Sequence, residues 1–142
     1  MAGYSGTPLP KKLGIKDGHL VATMAAPSTF ADALGPVDPS VRLRSGLRGT
    51  GPFDVIVIFV RSERELRDRF TRAADKLETA GGLWVAWPKQ SSPLATELKE
   101  GHVRAFGLST GLVDNKVCAI DADWSGLRFV VRTKDRPART RS

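Results

Sequence analysis

Few side chains in this chain of 142 residues belong to types that carry covalent or proton-transfer chemistry. The two histidines, His19 and His102, stand far apart and have neither the spacing of metal ligands nor a nucleophile beside them. Cys118, the one cysteine, cannot close an internal disulfide and sits in the apolar run VCAI, where a buried small hydrophobe is the expected reading. Asp121 and Asp123 form a close carboxylate pair in the segment DADWSG. Such a pair suits acid–base work or a hard cation, but no third oxygen ligand lies nearby and Asp is a common turn former. P-loop, GxSxG, HExxH and zinc patterns do not occur. The expectation is therefore no catalytic residue, no metal ligand and no cofactor.

Hydroxyls and cations give a different pattern. Ser28 and Thr29, Arg44, Arg61 and Ser62, and Lys89, Ser91 and Ser92 each follow an apolar run that reads as a strand. In an open α/β sheet, ligands sit outside the carboxyl ends of the parallel strands. Three of these ends are expected to lead into helix N-termini, whose unpaired N–H groups favour anions. Together these residues are candidates for holding a phosphate, nucleotide or carboxylate, with Ser28, Ser62 and Ser92 also suited to act as plain helix caps.

The elements that would position them follow from patterning. Phe53 to Val60 (FDVIVIFV) is apolar at nearly every position, the mark of a strand covered on both faces in a parallel sheet. Ser62 and Glu65 form a capping box, and Leu66, Phe70, Ala73, Leu77 and Ala80 line one helical face, with Gly81-Gly82 closing the helix. Leu83 to Trp87 is a further strand, on which Trp84 and Trp87 point to opposite faces. Earlier in the chain come a helical turn at Pro10 to Leu13, an apolar run at Leu20 to Ala26, a short helix at Phe30 to Leu34 ended by Gly35-Pro36, and a short strand at Val41 to Arg44. A helix weakened by Gly101 and Gly107 is expected between Leu94 and Thr110. Val113 to Ile120 and Leu127 to Val131 form an antiparallel hairpin, with Trp124 in its turn packed over the sheet edge. The fold class is α/β: a single Rossmann-like domain, mostly parallel, with a C-terminal antiparallel hairpin at one edge. The expected divisions are an arm at 1–18, the domain at 19–131 and a basic tail at 132–142.

Residues carrying GIKDGHLV (14–21), PFDVIVIF (52–59) and LETAGGLWVAWPK (77–89), followed by the closing hairpin, resemble the strands of Rossmann-like methyltransferases. More closely, YSGTPLPKKLGIKDG (4–18), LWVAWPK (83–89) and GLVDNKVCAIDADWSGLRFV (111–130) resemble a family of short bacterial proteins of unknown function. That resemblance implies a bacterial cytoplasmic protein with a truncated, degenerate methyltransferase scaffold. Methyltransferases bind S-adenosylmethionine over a glycine-rich turn and hold its ribose with a carboxylate after the second strand. This chain has Ala25-Ala26-Pro27-Ser28-Thr29 and Arg44-Ser45 at those places, and only Ser45 to Phe53 where a helix–strand–helix would fit.

The net charge is +7, from 22 basic and 15 acidic residues. Residues 132–142 carry +4 of it, so the rest of the chain is close to balanced. No apolar run is long enough to span a bilayer, and no membrane partner is expected. The leading functional expectation is a non-catalytic protein that binds a small anion or a protein partner. The alternative is a nucleic-acid-associated protein using the tail and Lys11, Lys12 and Lys16. A third reading is an S-adenosylmethionine-dependent methyltransferase.

Overall fold

The computed structural model describes residues 7–49 and 51–136. The element order is α1 (Leu9–Leu13), β1 (Leu20–Met24), α2 (Phe30–Leu34), β2 (Arg42–Ser45), β3 (Phe53–Phe59), α3 (Glu63–Asp75), β4 (Leu77–Pro88), α4 (Glu100–Ser109), β5 (Leu112–Ala119) and β6 (Trp124–Val131), followed by a 3-10 turn at Thr133–Asp135. The six strands form one mixed sheet in the order β2-β1-β3-β4-β6-β5. The pairings β1–β2, β1–β3 and β3–β4 are parallel, while β4–β6 and β5–β6 are antiparallel. This is the expected α/β sheet with an antiparallel hairpin at one edge.

β3 is central because its side chains are apolar on both faces. Phe53, Ile56 and Ile58 enter one buried layer with Leu66, Phe70 and Ala73 of α3 and Val103 of α4, whereas Val55, Val57 and Phe59 enter the other with Leu9, Leu13, Phe30 and Leu34. Trp87 belongs to the first layer and Trp84 to the second, as their spacing requires. The Trp84 indole Nε1 donates to the Leu13 carbonyl at 3.0 Å, which ties α1 to the sheet. The stretch from Leu9 is thus packed into the core ahead of residue 19.

α3 starts as expected, with Ser62 Oγ accepting from Glu65 N at 3.1 Å while Glu65 Oε1 accepts from Arg61 N at 2.8 Å. Its end differs from the sequence expectation. The helix stops at Asp75, and Leu77 to Gly82 belong to the strand β4. Two tertiary contacts explain the difference. Lys76 O accepts from Phe53 N at 2.8 Å, which starts the parallel pairing, and the register then shifts so that Phe53 faces Leu77 but Val55 faces Gly82. The two glycines serve close approach: a Cβ at Gly81 would lie 2.6 Å from Asp54 O, and one at Gly82 would overlap the Arg128 guanidinium.

The seven residues 46–52 carry the chain from β2 past β1 to β3, and Leu47 packs on the same layer as α3 and α4. Trp124 opens β6 and is buried, with its ring 5.1 Å from Phe59 in an edge contact. Of the stretch expected as a tail, residues 137–142 lie outside the described residues. Arg132 and Arg136 fold back, their Nε atoms donating to Gly111 O and Val131 O at 3.2 Å each. Among the described residues no helix is long and apolar enough to cross a membrane.

Candidate functional site

The carboxyl ends of β1, β2, β3 and β4 lie on one edge of the sheet, where the sequence places its candidates. After β1 the backbone turns at Ala25, whose φ of 60° is the left-handed conformation that glycine adopts without strain. Ser28 and Thr29 follow, both exposed. They were expected to cap α2. Thr29 instead has helical dihedrals and makes no side-chain cap, and the turn closes through backbone bonds from Phe30 N to Pro27 O and from Ala33 N to Thr29 O.

Between the ends of β1 and β2 lies an open groove of about 360 Å³. Ala26, Phe30, Leu34 and Leu43 give it apolar walls, while Ser28, Ser45 and Arg44 lie along its length. Leu43 is 46% exposed, an unusual position for a large hydrophobe on a strand four residues long. Arg44 is exposed and has no ion-pair partner among the described residues.

Arg61 and Ser62 line a separate cleft of about 460 Å³ with Glu63, Glu97, Leu98 and His102. Two glutamates face Arg61 there, and His102 Nε2 lies 3.9 Å from Glu63 Oε2. One cation stands against two carboxylates in this cleft, so its electrostatics do not select an anion. Arg61 also rests over the Trp124 ring, 5.6 Å from its centroid. Sequence reasoning missed Glu97 and His102 here because they reach the cleft from α4 and the loop before it, far along the chain from Arg61.

Lys89, Ser91 and Ser92 line neither space. The expected helix start at Ser92 is not observed: α4 begins at Glu100, and His102 Nδ1 accepts from Lys99 N at 3.0 Å at its head. Ser92 holds a turn instead, donating to Asp123 Oδ1 at 2.8 Å and accepting from Leu94 N at 2.9 Å. Asp121 Oδ1 accepts from Asp123 N and Trp124 N, which is the turn-forming role expected of it. Among the described residues no group of three or more His, Cys, Asp or Glu is placed to hold a metal ion. The eight candidates are therefore spread over one edge in three places, of which the β1–β2 groove combines apolar walls with an uncompensated cation.

Residues 49–133 match the model of a family described as a protein of unknown function, DUF3052. The chain belongs to that family. No curated protein matches the DUF3052 chain. Among solved structures it resembles an S-adenosylmethionine-dependent methyltransferase from Aquifex aeolicus at 12% identity, with a TM-score of 0.58 over 92% of this chain and 91% of that one. A TehB-like methyltransferase from Corynebacterium glutamicum gives 10% identity and a TM-score of 0.56, again over 92% and 91% of the two chains. The magnesium protoporphyrin IX methyltransferase of Synechocystis PCC 6803 gives 10% identity and a TM-score of 0.57 over 84% of this chain and 77% of that chain. At such identities the likeness is one of fold, and the scaffold of this DUF3052 protein is methyltransferase-like.

Proposed function

We propose that this protein is a non-catalytic binding protein, taking a small ligand with an apolar body and one anionic group in the β1–β2 groove. The observation that carries the reading is the groove itself, with Arg44 uncompensated among apolar walls. Burying an apolar body there supplies affinity, and the guanidinium orients a carboxylate or phosphate in a bidentate pair. The groove size falls in the range of small-molecule sites.

S-adenosylmethionine, which the methyltransferase fold implies, fits these residues poorly. Ala25 holds a Cβ in the left-handed turn where close ligand approach favours glycine, and Arg44 stands where a carboxylate would receive the ribose hydroxyls. The seven-residue path from β2 to β3 also leaves no room for the helix–strand–helix that the full fold carries there.

Calorimetric titration of octanoate and phenyl phosphate, with S-adenosylmethionine in parallel, tests the reading. Saturable binding of one of the two apolar anions is expected, weakened about tenfold or more, which is roughly 1.4 kcal/mol, by Arg44→Ala. Binding indifferent to Arg44→Ala, or a preference for S-adenosylmethionine, overturns it.

A further inference from the structure

The opposite end of the sheet, where β1, β3 and β4 begin, holds a further open cavity of about 590 Å³. Lys11, Lys12 and Lys16 approach it from α1 and the segment after it, and Lys116 of β5 and Arg128 of β6 approach from the hairpin. Asp54 is the one acidic side chain in the lining, and its Oδ2 already accepts from Leu20 N at 2.8 Å. None of the five cations makes an ion pair among the described residues.

A basic face in water is ordinary, but three features here are not. Lys116 and Arg128 are direct cross-strand partners in the β5–β6 ladder, an arrangement of like charges that destabilises a sheet unless something compensates it. The Arg128 side chain lies against Gly82, and its Nε is buried with no hydrogen-bond partner among the described residues, while its Nη1 donates to Asn115 Oδ1 at a long 3.4 Å. Burial and the neighbouring Arg136 both make the charged form of Arg128 harder to hold. Finally, segments more than 100 residues apart converge, since Lys12 Nζ donates to Ala119 O at 3.3 Å on the strand that carries Lys116. An uncompensated cluster of this kind, spread over three elements around a cavity, has the chemistry to receive concentrated negative charge.

We propose that this cavity binds a small ligand bearing two or more phosphate groups, with Lys12, Lys116 and Arg128 as its main contacts. The volume suits a nucleoside diphosphate, and five cations against the single Asp54 carboxylate in the lining favour a multiply charged ligand over a single carboxylate. A guanidinium held across Gly82 offers fixed donors, while the four lysines contribute adaptable point charges. The site lies away from the Arg44 groove, and the two stand or fall separately.

Thermal unfolding of the full chain in pyrophosphate, ADP and sodium chloride at matched ionic strength provides the test. Millimolar pyrophosphate or ADP is expected to raise the melting temperature by about 5 °C beyond the chloride control. Lys116→Gln, at an exposed position that tolerates the change, is expected to melt at or above the wild-type temperature without ligand and to lose most of that rise. Arg44→Ala is expected to keep it. No rise over chloride in the wild type, or an undiminished rise in Lys116→Gln, overturns the proposal. A twenty-nucleotide oligothymidylate that outcompetes ADP, with equal sensitivity to Lys116→Gln, would assign the cluster to nucleic acid instead and overturn it too.

Discussion

Two glycines in α4 look equivalent in the sequence, and the structure gives them opposite roles. At Gly107 a Cβ would run into the Phe129 ring, with Phe129 Cδ2 at 2.7 Å and two other ring atoms closer still. The ring has little freedom to retreat, because it packs edge-on against Phe70 at 5.3 Å, and Phe70 in turn meets Phe106 at 5.3 Å. Overpacking of this kind costs about 1–3 kcal/mol, against which alanine recovers about 1 kcal/mol of helix propensity. With both the helix backbone and the aromatic triad forced to shift, the upper part of the overpacking range applies, and Gly107→Ala should lose about 2 kcal/mol net. For a chain of this size that is roughly 6 °C in melting temperature. At Gly101, by contrast, nothing lies within 4 Å of the added Cβ. Gly101→Ala should gain about 0.5 kcal/mol from propensity and the unfolded state, or roughly 1–2 °C. Circular-dichroism melts and urea titrations of both variants decide the matter. A neutral or stabilised Gly107→Ala refutes the packing of α4 against β6, and equal effects at both sites refute the division between them.

Ala25→Gly should stabilise by about 1 kcal/mol, because the left-handed turn is kept and the Cβ strain removed; a melting temperature unchanged or lowered counts against the strain. Burial pushes the Cys118 thiol up from its ordinary value near 9.0, with Lys12 and Lys116 pulling the other way. Because the folded value is the higher one, the stability linked to this thiol is complete at neutral pH and declines as pH rises through and above the unfolded value. Iodoacetamide labelling at mildly alkaline pH should accordingly be slower in the folded chain than in urea, and equal rates would contradict the burial.

The strongest sequence signals were the ones that local physics alone decides. FDVIVIFV could only be a covered strand, and Ser62 with Glu65 marks the start of α3 to the residue. The end of α3 was hidden because Leu77 and Ala80 continue its 3-4 periodicity. The competing pull, Lys76 O held by Phe53 N, comes from a strand over twenty residues earlier. Ser28 and Ser92 carry cap-type side chains but stand in turns whose bonds close without a helix of useful length behind them. The Lys116–Arg128 pairing was open to discovery, since a hairpin centred on Ala122 places those positions opposite one another. What no spacing showed was that Lys12 reaches the same place, which depends on α1 docking under Trp84.

That docking has a consequence for the order in which the chain assembles. The partners of α1 are a side chain 71 residues later and a carbonyl 107 residues from Lys12. Closing such long loops gains nothing until the receiving strands exist, so contacts of this separation form late. During synthesis Leu9 and Leu13 can meet Phe30, Leu34 and the β3 side chains Val55, Val57 and Phe59 first, but the bonds to Trp84 and Ala119 wait until β4 and then β5 arrive. The same helix brings Lys11 and Lys12 to the cavity. Completion of the basic cluster thus waits for β5 and β6, and a chain stalled short of residue 119 would hold a nearly whole parallel sheet without it.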